Sequence, residues 1–424
     1  METGMKESSA TGGGQAGGEA RRGGAAPEQS RRRLWTALVL GVLSAFGPLS
    51  LDMYLPALPQ LAGDLNTSAS MAQLSLTACL LGLALGQLIA GPLSDMHGRR
   101  KPLLAGLLVF AAASLLCMLV GSPGAFVALR FIQGLAGAAG IVISRAIARD
   151  MYVGTELTKF FALLMLVNGA APILAPILGG QLLEFTSWRG VFLVLAGIGV
   201  LTLLAVVLGL PETLPPERRL RGGVRQTVIT LGRLVRDRAF MGYALSQGFV
   251  TAAMFAYIAG SPFVLQNLYG VSPQGFSLIF AMNGIGIILA SQTAGRLAGR
   301  IPESRLLVTG LTLAAVSGVL LLAGLASGAG LAWILPPLFV AVSCVGLVGT
   351  ASFPLAMAGQ SAAAGSASAL LGVLSFIFGG LVAPLVGIAG DSSALPMGIV
   401  MAAANLIAIL LYVTLIGRHR ASRA

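Results

Sequence analysis

Runs of apolar residues, each about 20 long, alternate with short polar segments from one end of this chain to the other. They cover residues 34–57, 71–93, 102–121, 124–147, 160–183, 189–209, 239–262, 273–295, 304–325, 331–353, 365–388 and 394–416. At about 1.5 Å of rise per residue, each run predicts a helix that crosses a hydrocarbon core of about 30 Å. Residues 1–30, rich in Gly, Ala, Ser and Glu with no hydrophobic period, predict a disordered tail. Arg31, Arg32 and Arg33 precede the first run as the basic region of a signal peptide would. The run is too long for one and lacks a small-residue cleavage site, so it is expected to stay as the first helix. The longest internal polar stretch, Pro211 to Arg238, divides the runs six and six. A weak internal repeat agrees with that division: Gly91-Pro-Leu-Ser-Asp95 after the second run lines up with Gly295-Arg-Leu-Ala-Gly299 after the eighth. Each then continues to a basic residue, Lys101 or Arg305. The expected fold is an all-α polytopic membrane protein, with six-helix bundles at 31–210 and 239–417, a linker at 211–238 and a basic tail at 418–424.

Composition supports this reading. Of the 424 residues 56% are hydrophobic and 10% charged, against about 25% charged in soluble domains. The net charge of +12 would suit a nucleic-acid binder, but its distribution does not. With twelve spans and the N-terminus inside, every Lys and Arg except Arg130 and Arg189 falls on one side, which the positive-inside rule makes cytoplasmic. Both termini are then cytoplasmic, the excess charge serves topology and contact with anionic lipids, and nucleic acid is not an expected partner. Cys79, Cys117 and Cys344 lie inside separate apolar runs and read as small core residues. His97 and His419 lie in polar segments, so no metal or cofactor set is expected. The chain has no P-loop, nucleotide-binding or nucleophile-triad spacing, so neither an enzyme nor ATP-driven chemistry is indicated.

Of the 15 Asp and Glu residues, only Asp52 falls inside an apolar run, and an acid in that place is a candidate functional group. Asp52 lies about 8 Å below the outer end of the first run and Arg130 about 9 Å inside the fourth, by helical rise. At matching depth the two could pair directly or through water, with the acid as the titrating partner because guanidinium keeps its proton. The pair reads either as a switch or as a static strut. Asp95 joins Arg99, Arg100 and Lys101 in a turn made by Gly91 and Gly98. That turn is either a solvated loop or a latch in which Asp95 meets the N-terminal dipole of a helix in the other half. Pro172, Pro176, Gly179 and Gly180 in the fifth run remove donors and admit close helix approach, as a kink or as a functional contact. Tyr54, Gln87, Gln133, Asn168, Tyr243, Gln247, Tyr257 and Asn283 are candidates to line a solute site, or else bond helix to helix. Their scarcity beside Phe and Met suits a small amphipathic solute.

The stretches Gly91-Pro-Leu-Ser-Asp-Met-His-Gly-Arg-Arg-Lys101, Leu51-Asp-Met-Tyr-Leu-Pro-Ala-Leu-Pro59, Arg130-Phe-Ile-Gln-Gly134, Ala171-Pro-Ile-Leu-Ala-Pro-Ile-Leu-Gly-Gly180, Trp188-Arg189 and Pro211-Glu-Thr-Leu214 resemble the major facilitator superfamily, and within it the drug:proton antiporters of the Bcr/CflA group. His97 departs from the charged residues common at its place, while Gly98 and the basic triplet are kept. The resemblance implies a central cavity lined by spans one and four, and a partner for Asp95 at the start of span eleven, near Ser366. It also implies a fifth span that helps seal the cavity against proton leak. The implied activity is proton-coupled efflux of drugs such as bicyclomycin- or chloramphenicol-like compounds, by alternating access, in a monomer of the bacterial inner membrane. Export of a small metabolite (amino acid, nucleoside or sugar-like) by the same mechanism is the alternative.

Overall fold

The computed structural model describes residues 25–152, 154–219, 232–358, 360, 364–388 and 392–417. Most of the expected tail, the middle of the linker and the basic C-terminal tail lie outside the described residues. The described chain is helical almost throughout. Its first half comprises α1 (Ala25–Ser44), α2 (Phe46–Asp52), a 3-10 turn (Leu55–Ala57), α3 (Leu58–Asp64), α4 (Ala69–His97), α5 (Arg100–Leu119), α6 (Pro123–Met151), α7 (Gly154–Leu182) and α8 (Trp188–Gly209). The second half has α9 (Arg238–Pro262), α10 (Pro273–Leu297), α11 (Glu303–Ala326), α12 (Leu331–Met357), α13 (Ala364–Val386) and α14 (Leu395–Tyr412). Among the described residues, nine helices are long and apolar enough to cross a membrane, and the bent first segment makes a tenth. The shorter apolar stretches Leu166–Leu182 and Leu370–Val386 belong to α7 and α13, the places of the fifth and eleventh predicted spans.

The first span is not the straight helix that its apolar run predicts. It bends by 43° between Ser44 and Phe46, one turn before Pro48, whose ring has no N–H for the Ser44 carbonyl and displaces it. After Asp52 the chain passes through a turn and the 3-10 segment before α3 begins, a region where Pro56 and Pro59 also lack donors.

The two halves repeat one packing scheme. In the first half α4 lies along α6, and in the second α10 lies along α12. Both crossings bring backbone onto backbone. A Cβ on Gly134 would stand 2.2 Å from the Cys79 carbonyl oxygen, and one on Gly346 would stand 2.1 Å from that of Ile287. Between the halves α4 meets α13 and α7 meets α10, as an approximate two-fold relation requires.

The core divides by level. One cluster of buried apolar residues joins both halves at the end away from the Arg99, Arg238 and Arg305 face, and includes Leu58, Trp188, Tyr257 and Met397. Two others lie nearer the arginine face, one within each half, around Phe46 and Phe110 and around Phe240 and Leu311.

Candidate central cavity and gates

A cavity of about 360 Å³ lies between the halves, on the arginine-face side of the shared core. Phe255, Ile258, Phe280, Ile287, Val342 and Phe376 supply most of its apolar wall, and Asp52, Gln87, Arg145, Asn168, Tyr257 and Asn283 supply polar groups. Such a lining, apolar with a few convergent polar groups, is what a small-molecule site requires. Tyr257 stacks on Phe280 with ring centroids 5.5 Å apart and accepts a 2.8 Å hydrogen bond from Asn283 Nδ2.

Asp52 is 7% exposed, and among the described residues it makes neither an ion pair nor a hydrogen bond. Of the two pairings expected with Arg130, the direct bond is not formed: the guanidinium donates to Gln133 and the Ser50 carbonyl. Arg130 is fully buried, outside the cavity lining, and its charge is met in other ways. Nη2 donates 2.7 Å to the Ser50 carbonyl, which lies just before the end of α2, and Nη1 donates to Gln133 Oε1. The guanidinium carbon lies 4.3 Å from the Tyr54 ring centre and 5.5 Å from that of Phe192, within cation–π range. Arg130 therefore braces the segment that carries Asp52 without touching its carboxylate.

Of the eight candidate lining residues, Gln87, Asn168, Tyr257 and Asn283 line the cavity. The other four are used in packing. Tyr54 shares a 3.0 Å hydrogen bond with Ser75, and Gln133 donates 2.7 Å to Ser114. Tyr243 packs beside Tyr412, and Gln247 accepts from Ser352 at 2.7 Å. A polar residue in a span reads the same in sequence whether it faces a neighbour or a cavity; only rotation about the helix axis decides.

Sequence reasoning missed Arg145, which it counted only among the positive charges of the cytoplasmic side. The residue lies within α6 and lines the cavity, so Arg130 is not the sole arginine among the spans. The signal was present: α6 continues to Met151, and position 145 falls inside the fourth predicted run.

The Gly91–Lys101 stretch is not the turn that its glycines predict: Gly91 and Asp95 lie within α4, only Gly98 breaks the helix, and the stretch is held within its own half. Arg99 Nη1 bonds Asp95 and Ser94 Oγ at 2.9 Å, and Arg99 Nε bonds Asp150 Oδ2 at 2.9 Å. Among the described residues Asp95 bonds only Arg99, and the side chain of its expected neighbour Ser366 in the other half lies outside the described ones. Glu212, from the Pro-Glu-Thr-Leu stretch, caps α5 by accepting from the backbone N–H of Arg99 at 2.8 Å and of Arg100 at 3.1 Å. Burial raises its pKa, but these donors, the N–H of Leu214 and the charge of Arg219 outweigh that and hold it below the usual carboxylate value. Gly98 takes φ +89 beside this carboxylate, and a Cβ there would stand 2.5 Å from Glu212 Oε2. Arg100 reaches the Val207 carbonyl.

The fifth-span glycines and prolines sit on an interface. Pro172 lines the cavity, the Pro176 carbonyl accepts 2.8 Å from Ser277 Oγ, and that of Gly180 accepts 3.2 Å from Gln274 Nε2. A Cβ on Gly179 would stand 1.9 Å from the Met53 carbonyl oxygen, so α7 presses against the break in the first span. On the opposite side, α4 reaches α9 and α13. Ser70 Oγ donates to the Gly387 carbonyl, Gln73 Nε2 to that of Ala259 at 3.0 Å, and Thr77 Oγ1 to that of Gly380 at 2.9 Å. Gln266 adds a 3.1 Å bond to the Pro56 carbonyl. All six bonds lie away from the arginine face, so the molecule is closed there. Arg189, the cation of that face, lies 3.5 Å from Asp64.

Residues 40–384 match the sequence model of the Major Facilitator Superfamily. The chain is 47% identical over 384 residues to the "Uncharacterized MFS-type transporter YdgK" of Bacillus subtilis, covering 90% of this chain and 95% of that one. It is 32% identical to the "Bicyclomycin resistance protein homolog" of Haemophilus influenzae, covering 91% and 97%. A solved bacterial homologue of the human lysosomal transporter Spinster, in an inward-facing and occupied conformation, superposes with a TM-score of 0.72 at 15% identity, over 92% of this chain and 97% of that one. This chain belongs to the Major Facilitator Superfamily, as a multi-pass transporter rather than an enzyme, and is similar within it to the drug-efflux proteins of Bcr/CflA type.

Proposed function

We propose that this protein exports small amphipathic, drug-like compounds in exchange for protons, with Asp52 as the proton carrier. The observation that carries the reading is a lone carboxyl in an apolar cavity between two half-molecules, with no bonded partner among the described residues to fix its charge. A carboxyl so placed can take a proton when the cavity faces one side and release it, or exchange it for solute, when the cavity faces the other. The positive-inside rule makes the arginine face cytoplasmic, with both termini on that side. The closed face is then the outer one, and the cavity is poised to load from the cytoplasm. Drug export rather than export of a metabolite is favoured by the aromatic and aliphatic wall and by the drug-resistance relative.

One proton crossing a potential of about 150 mV supplies about 3.5 kcal/mol, enough for a gradient of a few hundredfold in a neutral solute. The deciding experiment is substrate-induced proton release from detergent-solubilised protein across a compound panel, together with efflux from proteoliposomes under an imposed pH gradient. Asp52→Asn is expected to lose both signals. Proton-driven efflux at the wild-type rate in that variant would remove Asp52 from the mechanism.

A further inference from the structure

We propose that Arg145 is the specificity-determining residue of the cavity and that it reads an acidic group on the transported molecule. This rests on the export reading above and names its substrate class: an amphipathic carboxylate or comparable organic anion, or a zwitterion that carries one. Arg145 lies on α6, 15 residues beyond Arg130, which is about 22 Å along the helix axis. Asp52 stands near Arg130's level, two residues from the Ser50 carbonyl that Arg130 holds. The acid and the half-buried Arg145 thus lie at different depths of one cavity, whose wall includes Phe255, Phe280 and Phe376.

Arg145 makes no ion pair or hydrogen bond among the described residues. That sets it apart from Arg99 and Arg130, whose guanidinium donors have carboxylate, amide or carbonyl partners. A cation at membrane depth is retained where it faces water or a partner, and guanidinium presents a planar fork that matches carboxylate geometry. Asp52 is too far from it to serve as that partner in this arrangement. The ligand supplies the anion, while its apolar body packs on the aromatic wall.

The test uses a matched fluorescent pair, a dansyl-amino acid with a free carboxylate and its primary amide, titrated into detergent-solubilised protein at fixed pH. Wild type is expected to bind the acid about tenfold more tightly than the amide, as one charged hydrogen-bonded contact allows. Arg145→Gln should bring that ratio to near one, and Arg145→Lys should restore part of it; thermal melting of each variant reports folding. A ratio near one in wild type, a ratio unchanged in Arg145→Gln, or binding of neither probe overturns the proposal. Binding at fixed pH requires no proton flux, so the export reading stands or falls separately on the Asp52→Asn experiment.

Discussion

Arg130 is fully buried, yet among the described residues no carboxylate meets its charge; a main-chain carbonyl, an amide and two aromatic faces do. Those partners need a planar fork and a stacking surface, which lysine lacks. Arg130→Lys is therefore expected to lower stability by about 1–3 kcal/mol and to impair transport, read by melting and by efflux. Glu212 offers a pH test outside the membrane. Its folded pKa lies below the ordinary value, so its cap on α5 stabilises the fold above the unfolded value of about 4.3. That contribution is lost as pH falls through the folded value. Glu212→Gln should cost about 1 kcal/mol at neutral pH, and the difference from wild type should shrink in acid; an equal deficit at all pH values would contradict the capping role. At this scale elimination by charge found Asp52, because an acid in an apolar run is rare in any fold. It could not separate Tyr54 and Gln133, which face neighbours, from Tyr257 and Asn283, which face the cavity.

Among the elements, α4 and α7 carry the contacts that close the face away from the arginines. Ser70, Gln73 and Thr77 recur at spacings of three and four, so they share one side of α4 and reach three carbonyls of the other half. Gln73→Leu removes one donor, worth about 1 kcal/mol, and should shift the access equilibrium roughly fivefold toward the outward-open state. Faster hydrogen exchange in the N-terminal turns of α4 would register the shift; unchanged protection would argue against the lock. Gly179→Val must displace the Met53 carbonyl and is expected to cost about 1–3 kcal/mol, with a lower melting temperature and reduced efflux. The proline and glycine spacing of α7 was legible as close approach, but its partners were not, because nothing local to positions 171–180 specifies Met53 or Ser277.

For the molecule as a whole, the alternating access proposed above would require the six bonds between halves to break in each cycle. In a background with Cys79, Cys117 and Cys344 replaced, oxidising Thr77→Cys with Gly380→Cys should lock the outer face and stop efflux, and reduction should restore it. Efflux that continued in the fully cross-linked protein would exclude the movement. The sequence by itself determined that the chain is helical and crosses the membrane many times, that its Lys and Arg cluster between the apolar runs, and that Asp52 is the one acid inside such a run. Those properties follow from the cost of unsatisfied backbone and of charge in hydrocarbon, a cost paid residue by residue along the chain. Tertiary structure alone decided that Arg130 binds the Ser50 carbonyl, that Arg145 shares the cavity with Asp52, and which face is closed. Each of these depends on helix rotation and on contacts between residues up to hundreds of positions apart, where several pairings satisfy the same apolar pattern and packing selects one.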